Sequence, residues 1–300
     1  MSRRWQHLSR AEDPRPYQIA ALLALLVYGM SALDFDIAPA RVLLILASAL
    51  TAQWALGRVA GLLAFDPRSA LISGLSLCLL LRTGSDRVAA AAAVLAVASK
   101  FVLRVRGKHV FNPTNVALAT VVLLTGAAWV SPGQWGDSAF LAFLVVCVGG
   151  LVAWRALRSD VALAFLLSWA SLLFGRALYL GDPLAIPVHQ LESGSLLLFA
   201  FFMISDPKTT PDARPCRLAF GALVAVGAFY LQFGLYRPSG GLVLALFALT
   251  PLVPVLDFLW PASRYEWPGR SKGAAHALAC SHDPLFVAAH GAPLRASVRA

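Results

Sequence analysis

Two short polar stretches hold most of the side chains in this chain that could do chemistry. One is Gly107-Lys108-His109-Val110-Phe111-Asn112-Pro113-Thr114-Asn115, and the other is Ile204-Ser205-Asp206-Pro207-Lys208-Thr209-Thr210-Pro211. Asn112 before Pro113 is the pattern of a helix start. Asparagine caps the first amides, and proline lacks the N–H that a start leaves unpaired. A helix N-terminus with Lys108 and His109 beside it also favours an anion such as phosphate. A plain capped start and an anion-holding start are both open at this point, and Asn115 belongs to the same candidate set. Asp206 closes an apolar run. An ionisable residue at such a break is a candidate for function, or simply a stop at a membrane surface. Lys208, Thr209 and Thr210 offer a charge and two hydroxyls to a phosphate or to lipid headgroups. Two Ser-Gly pairs, Ser73-Gly74 and Ser193-Gly194, complete the candidates. No phosphate-binding loop, dinucleotide glycine motif or nucleophile elbow is present, so no catalytic residue is expected. His276, Cys280, His282 and His290 follow no zinc spacing; an iron–sulfur cluster needs four thiolates, yet the short segment matching that of Cys78 has no cysteine and Cys147 is far away in sequence, so no metal is expected.

The elements that must position these residues are membrane spans. Of 300 residues 59% are hydrophobic and 13% charged, with a mean hydropathy of +0.71. A soluble enzyme would leave too much apolar surface uncovered, and disorder needs the opposite composition. Long apolar runs, instead of short alternating segments, exclude a β-barrel. The reading is an all-α polytopic membrane protein of about ten spans: 17–33, 42–64, 69–81, 86–105, 114–130, 138–156, 160–180, 191–205, 216–233 and 240–260. Residues 1–16 form a polar N-terminal segment, and 261–300 a polar tail expected to be flexible. An even count puts both termini on one side. With that side taken as cytoplasmic, 20 of the 25 basic residues fall inside, as the positive-inside rule requires. The net charge of +10 is therefore an orientation signal, with contact to anionic lipid, and no nucleic-acid partner is expected. The expected location is the inner (plasma) membrane.

Segments 69–81 and 191–205 are short, carry the two Ser-Gly pairs, and stand third and eighth of ten. That is the arithmetic of two inverted five-span halves, 17–130 and 138–260, within a membrane domain of 17–260. Paired short segments in corresponding places point to a ligand site near the midplane. Close helix packing is the plainer use of such small residues.

GKHVFNPTN, followed by an apolar span, resembles the GKHxFNPA signature of the NqrB/RnfD family. Its members are membrane components of the Rnf electron-transport complexes and of the sodium-pumping NADH:quinone reductase. LESGSLLLFAFFMISDPKTTP resembles the same family's SGGxLLGAFFMATDPVTSP, and the likeness runs over about 17–260. The resemblance implies a ten-helix inverted repeat, flavin sites and a place in an ion-pumping redox complex with other membrane subunits. It also implies FMN joined by a phosphoester to the threonine of a Ser/Thr-Gly-Ala-Thr motif. The nearest string here, Thr125-Gly126-Ala127-Ala128, lacks that acceptor hydroxyl. The expectation is thus a short, stand-alone type of member binding FMN or riboflavin non-covalently, without a covalent flavin. Its function would be flavin- or quinone-linked electron transfer coupled to transport. The alternative is a small-molecule or ion transporter or channel with the same fold and no cofactor, and a third is an anchoring subunit without a site of its own.

Overall fold

A computed structural model describes residues 13–33, 35, 37–62, 64–131, 139–237 and 240–266, with side chains omitted for 139–144. The account below concerns the unit Pro14–Tyr265. In chain order its elements are α1 Arg15–Ala32, α2 Pro39–Val59, α3 Arg68–Leu80, β1 Leu81–Thr83, α4 Asp86–Val102, β2 Arg104–Val105, β3 Lys108–His109, α5 Pro113–Thr125, β4 Ala128–Val130, α6 Ala139–Arg155, α7 Ser159–Leu180, α8 Ala185–Leu191, α9 Gly194–Leu198, α10 Arg214–Phe229, α11 Gly241–Leu249 and α12 Leu252–Leu259. Wider π-turns continue α9 over Phe199–Met203 and α10 over Tyr230–Gly234. Each of the ten apolar segments contains a helix, so the chain is mainly helical.

By length and apolar composition, Pro39–Val59, Ser159–Leu180 and Arg214–Gly234 can each cross a membrane. Two bent pairs join them if each counts as one span: Ala185–Leu191 with Gly194–Met203, at 48°, and Gly241–Leu249 with Leu252–Leu259, at 45°. Three to five candidate spans are therefore present among the described residues. Helices α3 and α5 are apolar but have only 13 residues. Segments five and ten are not single unbroken helices. Segment 114–130 stops at Thr125, where Gly126 turns left-handed (φ 59), and its remainder is strand β4. Segment 240–260 breaks at Thr250-Pro251, because proline has no N–H to continue the ladder.

The strands are short connectors. β1 pairs antiparallel with β4, Leu81 opposite Val130 and Thr83 opposite Ala128, which ties the ends of α3 and α5 together. β2 and β3 form a hairpin, Arg104 opposite His109 and Val105 opposite Lys108. Its turn residues, Arg106 (φ 51) and Gly107 (φ 77), both have the positive φ of a type I′ turn.

The helix pairings recur along the chain. α4 packs on α2 through Ala89, Ala92, Ala93 and Ala96, all fully buried at helical spacing. α10 packs on α7, and its Gly221, Val224, Ala225 and Ala228 are buried at the same spacing. The Gly221 position lies so close to α7 that a Cβ would come within 2.8 Å of the Val161 carbonyl. α1 meets α3 as α6 meets α9 and its π-turn, and α4 meets α5 as α10 meets α11. Each parallel pair is also cross-linked at its N-termini. Arg41 of α2 donates to Asp86 of α4 (2.8 Å) and to the Thr83 carbonyl (2.6 Å). Arg217 of α10 donates to Asp160 of α7 (2.9 and 3.1 Å) and to the Asp212 carbonyl (2.6 Å).

Candidate functional site

The candidate residues separate into three places. Most meet at one end of the bundle, because the β2–β3 hairpin delivers successive side chains to opposite faces. Lys108 turns toward the loop before α10 and toward α12. Its ammonium donates to the Thr210 carbonyl (2.7 Å), Asp212 Oδ1 (3.0 Å) and Asp257 Oδ2 (2.6 Å). Three donors thus meet three acceptors. Asp257 Oδ1 also accepts the Asp212 N–H at 2.7 Å. The Lys108 charge is matched by carboxylates of the protein itself.

His109 turns the other way, with its imidazole beside Lys100, Arg104 and Lys208. Burial, with the charges of Arg104, Lys100 and Lys208 nearby, pushes its pKa from the ordinary 6.5 to about 4. The ring is therefore neutral at pH 7, and its buried Nδ1 has no hydrogen-bond partner among the described residues. Lys100 itself bridges three helices, donating to Gln53 Oε1 (3.2 Å) and Ser69 Oγ (3.0 Å).

Asn112 caps α5 as its sequence predicts: Oδ1 accepts from the amides of Thr114 (3.0 Å) and Asn115 (3.1 Å). Its Nδ2 reaches across to Asp206 Oδ2 (3.2 Å) and the Met203 carbonyl (3.4 Å). The start of α5 is thereby pinned to the end of the α9 π-turn. One turn on, Asn115 Nδ2 donates to the Val243 carbonyl of α11 (2.9 Å) and contacts the Met203 sulfur (3.7 Å). Asn115 is fully buried and its Oδ1 has no partner among the described residues.

Asp206 organises the second motif. Its Oδ1 accepts the Lys208 amide (3.0 Å), and its carbonyl accepts the amides of Thr209 and Thr210 (both 3.2 Å). Burial raises its pKa, against the Lys208 amide, the charges of Lys208 and Arg158, and the Asn112 amide, which lower it. Thr209 and Thr210 are buried, and the Thr210 hydroxyl accepts from Arg158 Nε at 2.8 Å. Lys208 Nζ donates to the Tyr265 carbonyl at 2.7 Å. Both motifs, about a hundred residues apart in sequence, thus form one hydrogen-bonded knot. Arg158 belongs to it through Thr210, and Lys100 carries its charge near Asp206. Their signal was a basic residue within or beside an apolar run.

Ser73 and Gly74 lie elsewhere, inside α3. Ser73 Oγ donates to the Ser69 carbonyl (3.0 Å), and a Cβ on Gly74 would come within 2.9 Å of the Leu46 side chain. In the structure this pair lets α2 approach α3.

Ser193 and Gly194 lie at a third place, the break between α8 and α9. Ser193 Oγ is 3.0 Å from Ser195 Oγ. Both line a cavity of about 280 Å³ with Gln190, Gln232, Trp169, Phe199 and Met203. Leu80, Val130 and Ser131, from the first half of the chain, close its other wall. No charged residue lines it. The amides of Gln190 and Gln232 make no hydrogen bond to the described residues. These glutamines were missed in the sequence, where a lone amide in apolar text carries no motif. The Thr125–Ala128 string sits nearby as the turn into β4, with Thr125 Oγ1 donating to the Val121 carbonyl at 2.6 Å.

Among the described residues no group of three His, Cys, Asp or Glu could hold a metal. The tail residues His276, Cys280, His282 and His290 lie outside the described residues.

Residues 123–266 match the family described as NQR2, RnfD, RnfE. The RnfD component of the ion-translocating oxidoreductase complex of Escherichia coli O1:K1 / APEC is 34% identical over 139 residues, 45% of this chain and 36% of the relative. The corresponding component from Citrobacter koseri is 32% identical over the same length, with the same shares. The match therefore spans about a third of the length of these relatives, and Gly107–Asn115 lies before the family stretch. The stretch of this chain that is similar to the NQR2, RnfD, RnfE family, residues 123–266, holds the second motif, the α8–α9 break and most of the cavity wall.

Proposed function

We propose that the chain is an integral membrane subunit for flavin- or quinone-linked electron transfer coupled to transmembrane transport. The observation that carries this reading is the uncharged cavity at the Ser193-Gly194 break, walled by both halves of the chain. Its volume is at the lower end for small-molecule sites, so it fits a ring system with any tail left outside. Trp169 and Phe199 offer faces to a planar ring, and Gln190, Gln232 and the Ser193–Ser195 pair offer donors to its carbonyls. These residues fit a quinone head or the ring of riboflavin. No lysine or arginine lines the cavity to pair with the phosphate of FMN, and Ala128 supplies no hydroxyl for a phosphoester. Such a ring, when bound, supplies the electron chemistry, while the chain holds it in place and keeps charge and water away.

The relatives are named as parts of an ion-translocating complex, which supports other membrane redox subunits as partners. We further propose ten segments in two inverted halves within the lipid bilayer. The recurring pairings of α2 with α4 and α7 with α10, and the paired Arg41–Asp86 and Arg217–Asp160 links, support that layout. The excess of basic residues at the Lys108 end supports placing that end, and both termini, on the cytoplasmic side of the plasma membrane.

To test the site, ubiquinone-1 and riboflavin are titrated into the detergent-purified protein while Trp169 emission is followed. Saturable quenching, lost in Gln232→Leu with Trp169 retained, is expected. Unsaturable quenching, equal in both proteins, would remove the cavity as the site. A second reading, a transporter without a redox cofactor, is favoured by one observation: the same cavity ends at Met203 and Val243, which touch the buried Asn115. It predicts solute uptake into liposomes that Ser193→Leu abolishes, with no bound chromophore.

A further inference from the structure

A second cavity, of about 410 Å³, lies against the knot, between the β2–β3 hairpin and α12. The redox reading does not use it. Its walls include Arg106 and His109 from the hairpin, Val253, Pro254 and Phe258 from α12, and Arg264 just beyond. We propose that it binds a phosphodiester carried on an apolar body, the headgroup of an anionic membrane phospholipid.

Charge decides the sign of the ligand. Lys108, Asp212 and Asp257 also line the cavity, but they satisfy one another: both carboxylates accept from Lys108, and Asp257 accepts the Asp212 amide as well. The two guanidinium groups are not matched in this way. Arg106 has no carboxylate partner among the described residues and lies 5.1 Å over the Phe258 ring. Among the same residues Arg264 donates only to the Arg106 carbonyl, at 2.7 Å. Each guanidinium has five donors, so most of these point to no described protein acceptor. Together the lining residues hold three cations against two anions.

Backbone strain points the same way. The left-handed φ of 51° at Arg106 is one that Asn or Gly adopts more readily. The turn carries arginine all the same, and Arg106 lines the cavity.

The surroundings favour a lipid over free phosphate. Val255, Phe258, Leu259 and Trp260, beside the cavity, are all more than half exposed. Large apolar side chains next to guanidinium groups, with a tryptophan, are the composition of a membrane interface. Basic pockets between membrane helices are a known mode of headgroup recognition.

The test is thermal unfolding of the full chain in mild detergent with added dioleoylphosphatidylglycerol, dioleoylphosphatidylcholine or inorganic phosphate. Phosphatidylglycerol is expected to raise the midpoint by several degrees and the other two to leave it unchanged. Arg106→Gln with Arg264→Gln should abolish that rise. Arg264→Gln alone, at an exposed position that folding does not need, should at least halve it. Arg237→Gln, at the other end of the bundle, should keep it whole. An equal rise with phosphatidylcholine, or a full rise in the Arg264 variant, would overturn the proposal. A rise with inorganic phosphate alone would replace the lipid with a free anion and overturn the lipid assignment.

Discussion

Lys108 shows how far residue types alone reach. Its place beside a helix start suggested an anion site, yet the ammonium lies between Asp212 and Asp257, with side chains only 11%, 5% and 15% exposed. Removing one member of a buried charge cluster leaves the others unpaired, at about 3–5 kcal/mol. Lys108→Ala should therefore unfold at a clearly lower temperature in detergent, and Lys108→Ala with Asp257→Leu should recover part of the loss. The partners come from the loop before α10 and from α12, 104 and 149 residues away in sequence, so no local pattern disclosed them. The Asn112 cap was legible, because it involves only the next three residues. His109 supplies a pH test. Its pKa in the folded chain, about 4, lies below the unfolded 6.5. Between these values the unfolded chain takes up a proton that the folded one refuses, so stability falls as pH drops from 6.5 toward 4. His109→Gln should flatten that part of the pH dependence when melting points are compared across the range. An unchanged slope would mean that His109 is not buried as described.

At the scale of elements, the two arginine links look alike but should differ in strength. The side chains of Arg217 and Asp160 are 11% and 15% exposed, against 27% and 68% for Arg41 and Asp86. A buried pair broken on one side costs about 3–5 kcal/mol, whereas an exposed pair is worth at most about 1 kcal/mol. Arg217→Gln should thus lower the melting point strongly and Arg41→Gln barely. Helix contact gives a parallel comparison. Gly221→Ala pushes a methyl into the Val161 carbonyl and should cost about 1–3 kcal/mol. Gly175→Ala meets nothing within 4 Å and should be neutral or better. The helices at third and eighth place were readable as short from length and from their Ser-Gly pairs. The break in the fifth was hidden, because Ala127-Ala128-Trp129-Val130 stays apolar while turning into a strand. Hydropathy reports which medium surrounds a segment, and not whether its backbone remains helical.

For the whole molecule, composition already separated a membrane bundle from every soluble class, and the second motif already pointed to the family. What the text could not show was where the halves meet. The motif residues form a knot at one end, while the uncharged cavity opens at the α8–α9 break, lined by glutamines and aromatic residues that follow no pattern. Above all, this cavity is expected to hold a redox-active ring. The decisive measurement is the visible spectrum and acid-released flavin and quinone content of the protein, purified in mild detergent with whatever subunits accompany it. One non-covalent ring compound per chain, released by denaturation and lost in Gln232→Leu, is the predicted result. A well-folded protein and complex without either compound would contradict it.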